Sequence, residues 1–473
     1  GGIALFSGNN STINLSGSNI LTANSGGLLF YNYVNGSGVY TGKYSIASGT
    51  TATVNSGGLA LYMKANNVSD IGTALTSLKG AYTNPGNLTV NMAAGSSILY
   101  IDGVSGAANI SALNAAGLTP GGMTGFFNFS GSGYSEYVMK GIDLTLDNTS
   151  DSNLNSSTYS NIQFLQSSVT VNNGVTVAGT QAGQVAIAQK NAVGGTVSGI
   201  NITNNGTISL TRSGTTAIAG DFITMKNTAT GSINLGAGSV GMYTANGSIA
   251  VNEGAIELGT GSVGMYGRND FGSTAAAYGD RKINIENQKD IKTISGGVTG
   301  NVTGIYTDNA LTLTDASVNL TSTSNIDLEG TGTIVGVYLK KTKLTSAGTI
   351  KATSVLGGTS VGLYGDESTA TSITGSIEVS GGSGTGIYLK NSSMSSGATV
   401  KVDNVISGIG MYVEATTTAS TGTNTGVISL GDNVTGMYGS GASAVNTGTI
   451  TNTGMIQSMA TSADKAIGMY IGN

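Results

Sequence analysis

Carboxylates are the main side chains of this sequence that could do chemistry, because it contains neither histidine nor cysteine. A histidine-activated serine, a reactive thiolate and a disulfide are therefore excluded. Polysaccharide cleavage needs clustered carboxylates, or a Lys or Arg base beside bound calcium. Most acidic residues here are isolated, and the adjacent pair Asp366-Glu367 falls in a predicted turn. Residues about one repeat apart, such as Glu257 and Asp280, could still converge, so a polysaccharide lyase or hydrolase stays open as an alternative.

Two segments, 236–241 and 259–264, match the Gly-x-Gly-x-x-Gly pattern of dinucleotide-binding loops. In such a loop the glycines follow a strand and open a helix. Here both copies occupy the same place in consecutive repeats, and a strand pattern follows them. The segment 36–44 is similar to a phosphate-binding loop, but Tyr44 stands where a Ser or Thr would bind magnesium. We interpret all three as turns and expect no cofactor and no metal.

Tyrosines that follow a glycine and an apolar residue could offer aromatic faces to sugar rings. Nine of them mark the second half of the chain, at Tyr243, Tyr266, Tyr306, Tyr338, Tyr364, Tyr388, Tyr412, Tyr438 and Tyr470. A residue present in almost every repeat is more typical of architecture than of a binding site. We therefore favour a ladder of stacked side chains over a carbohydrate platform. The asparagine that precedes a glycine in each repeat is likewise predicted to form turns and to stack amide on amide.

The repeat itself predicts the fold. Successive tyrosine marks are 23, 40, 32, 26, 24, 24, 26 and 32 residues apart, so the base period is about 24 residues with insertions. Within one repeat the apolar residues alternate with a period of two, as in Ile233 and Leu235, and Gly and Asn separate the short strands. We predict an all-β parallel β-helix of about 24-residue coils, with regular repeats over 200–473 and irregular coils with insertions over 1–199.

Composition excludes several classes of protein. The net charge is −5 and the 19 Lys and Arg residues are scattered, so a nucleic-acid partner is not expected. No apolar run is long enough for a membrane helix, so we expect no membrane insertion by this segment. The N-terminus shows no signal-peptide pattern, and the sequence ends within a copy of the repeat, which suggests a fragment of a longer chain.

Three segments interrupt the repeat in the first half. Residues 66–79 place Ile71, Ala74, Leu75 and Leu78 at helical spacing, with a possible cap at Ser69 or Asp70 and a stop at Gly80. Residues 109–117 predict a second short helix. The conformation of 151–166 stays undecided from its pattern.

The repeats resemble those of a known family. The combination Asn-x-Gly-x-Ile-x-Leu followed by Gly-Met-Tyr, as in 252–266 and 424–438, is similar to the passenger repeats of the large fusobacterial type V autotransporter adhesins. This resemblance covers most of 200–473 and, more loosely, the remainder. It implies a right-handed β-helical passenger that is exposed at the bacterial cell surface and anchored in the outer membrane by a C-terminal barrel. It also implies coaggregation, adhesion to host cells and a part in virulence, with host receptors or glycans as partners.

Our hypothesis from the sequence is a non-enzymatic, monomeric adhesin segment whose contacts lie in its irregular parts. The candidate binding residues fall in two insertions, 66–87 and 267–282: Asp70, Lys79 and Tyr82 in the first, and Arg268, Asp270, Phe271 and Arg281 in the second. A β-helical toxin passenger is a further alternative, although the membrane-active apolar segment expected of such a toxin is not visible in the sequence.

Overall fold

The computed structural model describes residues 2–104, 106–119, 121–147, 162–179, 182–191, 199–269, 282–355, 357–443, 445–459 and 465–472. The chain divides into two compact units, residues 1–177 and 178–473. The division falls earlier than the change from irregular to regular repeats that we placed after residue 199. Both units consist of short parallel strands, which confirms the prediction of an all-β parallel β-helix.

Unit 1 contains two helices among its strands, and its last strand crosses the division between the units. In chain order, its elements are β1 (Ile3–Ser7), β2 (Thr12–Leu15), β3 (Ile20–Ala23), β4 (Leu28–Asn32), β5 (Lys43–Ile46), β6 (Thr50–Val54), β7 (Leu59–Lys64), α1 (Ile71–Lys79), β8 (Tyr82–Thr83), β9 (Leu88–Met92), β10 (Ser97–Asp102), β11 (Ala107–Asn109), α2 (Ile110–Ala115), β12 (Asn128–Gly131), β13 (Ser135–Lys140), β14 (Asp143–Leu146), β15 (Ile162–Leu165), β16 (Ser168–Val171) and β17 (Thr176–Gly179).

The described part of unit 2 contains strands and one 3₁₀ turn, Leu313–Asp315. Its strands are β18 (Val185–Lys190), β19 (Asn201–Asn204), β20 (Thr207–Leu210), β21 (Thr216–Asp221), β22 (Thr224–Asn227), β23 (Ser232–Leu235), β24 (Val240–Ala245), β25 (Ile249–Asn252), β26 (Ala255–Leu258), β27 (Val263–Asn269), β28 (Ile283–Asn287), β29 (Asp290–Thr293), β30 (Val302–Asn309), β31 (Ala316–Leu320), β32 (Asn325–Gly330), β33 (Thr333–Lys340), β34 (Lys343–Ser346), β35 (Thr349–Ser354), β36 (Thr359–Asp366), β37 (Thr369–Ile373), β38 (Ser376–Ser380), β39 (Ser383–Lys390), β40 (Ser393–Ser396), β41 (Thr399–Asp403), β42 (Ser407–Ala415), β43 (Ser420–Asn424), β44 (Val427–Leu430), β45 (Val434–Gly441), β46 (Gly448–Asn452), β47 (Met455–Ser458) and β48 (Ile467–Gly472).

Each coil of unit 2 contributes one strand to each of three parallel sheets. We call them the tyrosine sheet (β18, β21 and every third strand to β48), the first inner-turn sheet (β19, β22 and every third strand to β46) and the second inner-turn sheet (β20, β23 and every third strand to β47). In the tyrosine sheet, Tyr243 lies opposite Tyr266, and each later marker tyrosine lies opposite the next one up to Tyr470. The marks counted in the sequence are therefore one coil apart, and the predicted period is confirmed.

Two features of the interior follow from this stacking. The residue before each tyrosine points inward, as Met242 and Met265 do, and both are fully buried. Buried asparagines form a column in which the Asn204 amide donates to Asn227 Oδ1 at 2.8 Å, and the Asn227 amide donates to Asn252 Oδ1 at 2.8 Å. Because buried polar groups need partners, this column satisfies side chains that would otherwise destabilise the core. The predicted amide stacking is confirmed.

The predicted helices are present, with one correction. The four apolar residues of 66–79 lie on the buried side of α1, and Gly80 ends it. The side chain that caps this region is Asn67, which accepts a hydrogen bond from the Asp70 amide at the start of a 3₁₀ turn, Val68–Asp70. Asp70 occupies the N-cap position of α1, as predicted, but its side chain makes no capping hydrogen bond. The second helix is shorter than 109–117 and is capped by Asn109.

Of the segment 151–166, the structure describes only the end, where 162–165 forms β15. A further 3₁₀ turn, Pro85–Asn87, precedes β9. Among the described residues, no helix combines the length and apolar character needed to cross a membrane.

Candidate functional site

Three successive coils of unit 1 carry insertions at the same corner, directly after β4, β7 and β10. We call these insertions together the insertion lobe, and define it as residues 33–42, 65–81, 103–104, 106–119 and 121–127. Parallel coils place equivalent corners above one another, so insertions at one corner of neighbouring coils come into contact.

The first contacts of the insertion lobe join α1 to the loops on either side of it. The Tyr40 amide donates to Ser77 Oγ at 2.9 Å, which joins 33–42 to α1. On the other side, a Cβ at Gly72 would lie 3.4 Å from the carbonyl oxygen of Ala116, so α1 closely approaches the end of α2. In the same turn, a Cβ at Gly117 would contact the Leu75 side chain. The insertions therefore pack on one another instead of projecting separately.

The insertions bury many apolar side chains. Residues from all three insertions are buried: Tyr40, Ile71, Leu75, Leu78, Val104, Ile110, Leu113, Leu118, Met123 and Phe127. Burial of this kind stabilises by roughly 1.5–3 kcal/mol for each large apolar side chain relative to exposure. The lobe is consequently an ordered surface and not a set of free loops.

Two charged side chains hold the last loop of the lobe, 121–127. The Lys79 ammonium donates to the carbonyl oxygen of Gly122 at 2.8 Å. From β13, the Glu136 carboxylate accepts hydrogen bonds from the Gly121 amide at 2.8 Å and from the Met123 amide. Glu136 is only 3% exposed. Burial raises the pKa of its carboxyl above the ordinary value, although the hydrogen bonds from Met123 and Gly121 act in the opposite direction.

The raised pKa of Glu136 predicts a pH dependence for unit 1. A carboxyl whose pKa is higher in the folded than in the unfolded state contributes stability below its ordinary pKa of 4.5 and loses it as pH rises through the folded value. Relative to Glu136→Gln, the wild type should therefore lose stability as pH rises from about 4.5, by about 1.4 kcal/mol for each unit of pKa difference. Thermal unfolding followed across this range measures the difference, and a constant difference would contradict the prediction.

The structure places the three candidate residues of the first insertion in different environments. Asp70 is half-buried at the start of α1, and Lys79 is half-buried with its ammonium on Gly122. Tyr82 is 6% exposed, donates to Asn32 Oδ1 at 2.6 Å, and packs against Tyr44, Phe126 and Phe127. Its ring belongs to the core beneath the lobe, so it is not part of the outer surface.

The second insertion is described only at its edges. Arg268 is exposed near the end of β27, opposite Asp308 of the next coil. Asp270, Phe271 and Arg281 lie outside the described residues, so their predicted role stays a prediction. The candidates of the first insertion thus belong to unit 1, and the described candidate of the second belongs to unit 2.

The marker tyrosines form a continuous column on the outer face of the tyrosine sheet. Several neighbouring rings are stacked face to face: the Tyr306–Tyr338 and Tyr338–Tyr364 centroids are each 4.7 Å apart, with interplanar angles of 12° and 5°. Other pairs meet edge to face, as Tyr364 and Tyr388 do at 77°. A sugar stacks on a free aromatic face, and here neighbouring rings cover many of those faces. This geometry supports the architectural interpretation.

Some hydroxyl groups of these columns also have partners within the protein. In unit 1 the Tyr62 hydroxyl donates to Asp102 at 2.7 Å, and in unit 2 the Tyr388 hydroxyl donates to Glu414. Burial raises the pKa of Tyr364 to about 12, with a further contribution from Asp366. These tyrosines are therefore neutral at physiological pH and do not act as bases.

The described carboxylates that were considered for catalysis lie on separate strands or have basic partners. Asp366 faces outward at the end of β36, and Glu367 forms an ion pair with Lys341 at 3.4 Å in the following turn. Glu257 faces outward on β26 opposite Lys292, and Asp280 lies outside the described residues. Within the part of the chain that the structure describes, no group of three or more acidic residues is placed to hold a metal ion.

Sequence reasoning found α1 and α2 but missed the lobe that they build. It also missed the loop 33–42 and the buried Glu136, since neither departs visibly from the surrounding Gly, Ser and Asn-rich pattern. One signal was present: Tyr31, Tyr62 and Tyr100, which follow an apolar residue in the first half as the marker tyrosines do in the second, are farther apart than one regular coil requires. Long coils in succession indicate insertions at a common corner.

Comparison with profiles of known protein families gave no match to this chain, and comparison with curated proteins gave no match either.

Proposed function

We propose that this chain is a segment of the surface-exposed passenger of a bacterial outer-membrane autotransporter adhesin, and that it attaches cells to host receptors or glycans, or to other bacteria. The observation that carries the proposal is the insertion lobe, an ordered irregular surface on an otherwise repetitive stack of coils. Binding residues are found disproportionately on loops that a rigid scaffold positions. The resemblance of the repeats to autotransporter adhesin passengers supplies the class of function.

The chemistry of the lobe surface suits a neutral, hydroxyl-rich ligand. Most exposed side chains of its helices and loops are small and polar, namely Asn66, Asn67, Ser69, Thr73, Thr76, Ser111, Asn114, Thr119 and Thr124. Tyr33 and Val39, in the loop 33–42, add two exposed apolar side chains. Amide and hydroxyl groups both donate and accept hydrogen bonds, as the hydroxyl groups of a glycan do. The charged groups Asp70 and Lys79 are half-buried, so the surface presents little net charge.

A test of the proposal changes the lobe surface and leaves its core unchanged. Thr73 on α1 and Asn114 on α2 are both exposed, and arginine is compatible with a helix at either position. Thr73→Arg combined with Asn114→Arg should reduce binding of the purified chain to target cells by at least about tenfold, which corresponds to about 1.4 kcal/mol. The measurement is a titration of labelled protein on cells, with a glycan array as a second format.

The matched control is Ser395→Arg, an equally exposed position on β40 of the regular coils. It should leave binding unchanged and should have the same far-UV circular dichroism as the lobe variant. Equal binding by both variants would show that the lobe is not the contact surface. If the unmodified chain binds neither cells nor glycans, the proposal of an adhesive segment itself is wrong.

A further inference from the structure

Two outer columns of unit 2 carry charges whose sign alternates from each coil to the next. The first, on the tyrosine sheet two residues after each tyrosine, contains Arg268, Asp308, Lys340, Asp366, Lys390 and Glu414, each opposite the next. The second, on the second inner-turn sheet, contains Glu257, Lys292, Asp327, Lys351, Glu378 and Lys401, again each opposite the next. We call them the tyrosine-side and the turn-side charge columns.

The two columns also alternate against each other. The coil that carries Glu257 in one column carries Arg268 in the other, and the next coil carries Lys292 and Asp308. The same opposition continues through the coil of Lys401 and Glu414. In each of these six coils the charges from the two columns therefore sum to zero. Coils whose positive charge lies in the tyrosine-side column alternate with coils whose positive charge lies in the turn-side column.

Side-chain contacts follow this pattern. Lys340 Nζ lies 3.1 Å from Asp308 Oδ1 in the tyrosine-side column, and Lys351 Nζ lies 3.2 Å from Asp327 Oδ1 in the turn-side column. Asp366 has a lysine of the same column on each side, Lys340 and Lys390. Exposed ion pairs of this kind each contribute little to the free energy of unfolding, so their main effect is not global stability.

In the tyrosine sheet, the core does not distinguish one coil from another. Its inward positions are all apolar, as in Met265, Ile305, Val337 and Leu363, and the tyrosines outside are identical. A coil that skipped its neighbour and stacked on the next coil would therefore bury equivalent side chains in this sheet, whereas the stacked residues Asn287, Leu320 and Ser346 of the first inner-turn sheet differ. In both charge columns, however, such a one-coil skip would bring like charges into direct opposition, which is unfavourable between neighbouring strands.

We infer that the two charge columns specify which coil stacks on which, with a period of two coils, and so oppose skipping of a single coil. The hydrophobic pattern and the tyrosines set the alignment within a coil, and the charges distinguish odd from even coils. Where a repetitive pattern allows several alignments of neighbouring strands, a repulsive interaction is needed to exclude the wrong ones.

Coil deletions test this inference because they enforce a skip. Removing residues 386–409 joins equivalent positions, since Thr385 and Ile409 lie opposite each other. It leaves Asp366 opposite Glu414. Removing residues 362–409 deletes two coils and leaves Lys340 opposite Glu414. The probe is position 414, where Glu414→Lys is compared with Glu414→Gln within the full chain and within each deletion; glutamine keeps an acceptor for the neighbouring tyrosine.

The expected effect of lysine relative to glutamine changes sign with each coil removed. Lysine should lower the unfolding midpoint in the full chain, raise it when one coil is removed, and lower it again when two are removed. Each shift should be about 1 °C and should shrink in about 1 M salt, because exposed charges are screened. A shift of one sign in all three backgrounds, or the absence of any shift, overturns the inference.

A second comparison needs no deletion and covers the case in which a shortened chain does not fold. Reversing all six charges of the turn-side column keeps its alternation, and should leave the unfolding midpoint within about 1 °C of the wild type. Asp327→Lys combined with Lys351→Asp keeps the composition but creates two like-charge contacts, and should lower both the midpoint and the yield of refolded protein. Equal behaviour of the two variants would show that alternation along the column has no such role.

Discussion

Gly304→Ala is expected to destabilise unit 2 by about 2–3 kcal/mol, the cost typical of inserting a methyl group into a packed interior. Gly304 precedes the inward-facing Ile305 in the tyrosine sheet. A Cβ at this position would lie 2.6 Å from the carbonyl oxygen of Gly336 and 2.7 Å from Ile326 Cγ2. Both neighbours belong to the next coil, the first to its backbone and the second to its core, so neither can move independently. Urea unfolding measures the loss.

The control for this substitution is Gly125→Ala. A Cβ at Gly125 would have no other heavy atom within 4 Å, and the backbone conformation there is open to alanine. It should leave stability unchanged or raise it slightly, because alanine restricts the unfolded chain. An equally small effect of Gly304→Ala would mean that neighbouring coils can separate to admit a methyl group.

Asn227→Ala is expected to destabilise unit 2 by about 1–3 kcal/mol, because it leaves the buried Asn252 Oδ1 without its donor and leaves the Asn204 amide only its longer hydrogen bond, to the Ser232 carbonyl oxygen at 3.3 Å. Asn227 is fully buried and connects its neighbours: Asn204 donates to it, and it donates to Asn252. Alanine removes the acceptor for one amide and the donor for the other. Hydrogen exchange of the amides in β22 and its neighbours should increase together with the loss of global stability.

Asn234→Ala provides the comparison, because Asn234 is a half-buried asparagine on the outer face of β23. Water can satisfy the groups around it, so the expected change is within about 0.5 kcal/mol. If both substitutions cost the same, the buried column contributes no more than an asparagine at the surface.

The interior columns and the outer columns have different consequences for function. Asparagine and apolar columns hold the coils together from within, so the outer faces can vary without loss of the core. The outer face of the tyrosine sheet carries stacked rings and alternating charges, and both interact with partners within the chain. The insertion lobe instead carries a surface of exposed hydroxyl and amide groups, which is why we place the proposed contact there.

Periodicity was sufficient to predict the coil, its strands and the direction of its apolar residues. Ile233 and Leu235 alternate with polar residues because a strand exposes its two faces in turn, and this rule acts over a few residues. The tyrosine marks also predicted the alignment of the coils, because identical residues that recur once per coil lie opposite one another when the coils stack. The helix α1 was equally local, although the side chain that caps the 3₁₀ turn before it is Asn67, one of several polar residues that could have served.

Local periodicity could not predict the environments of Tyr82, Arg268 and Glu136. Tyr82 resembled a surface residue of an insertion, yet Phe126 and Phe127, more than 40 positions later, cover its ring. Arg268 belongs to an insertion by sequence, but its strand places it in a column of alternating charge. Glu136 is buried because a loop from the preceding coil returns to its carboxylate. Local pattern determines which face a residue occupies, whereas only the stacking of coils, with neighbours about 24 to 40 residues away, decides what covers that face.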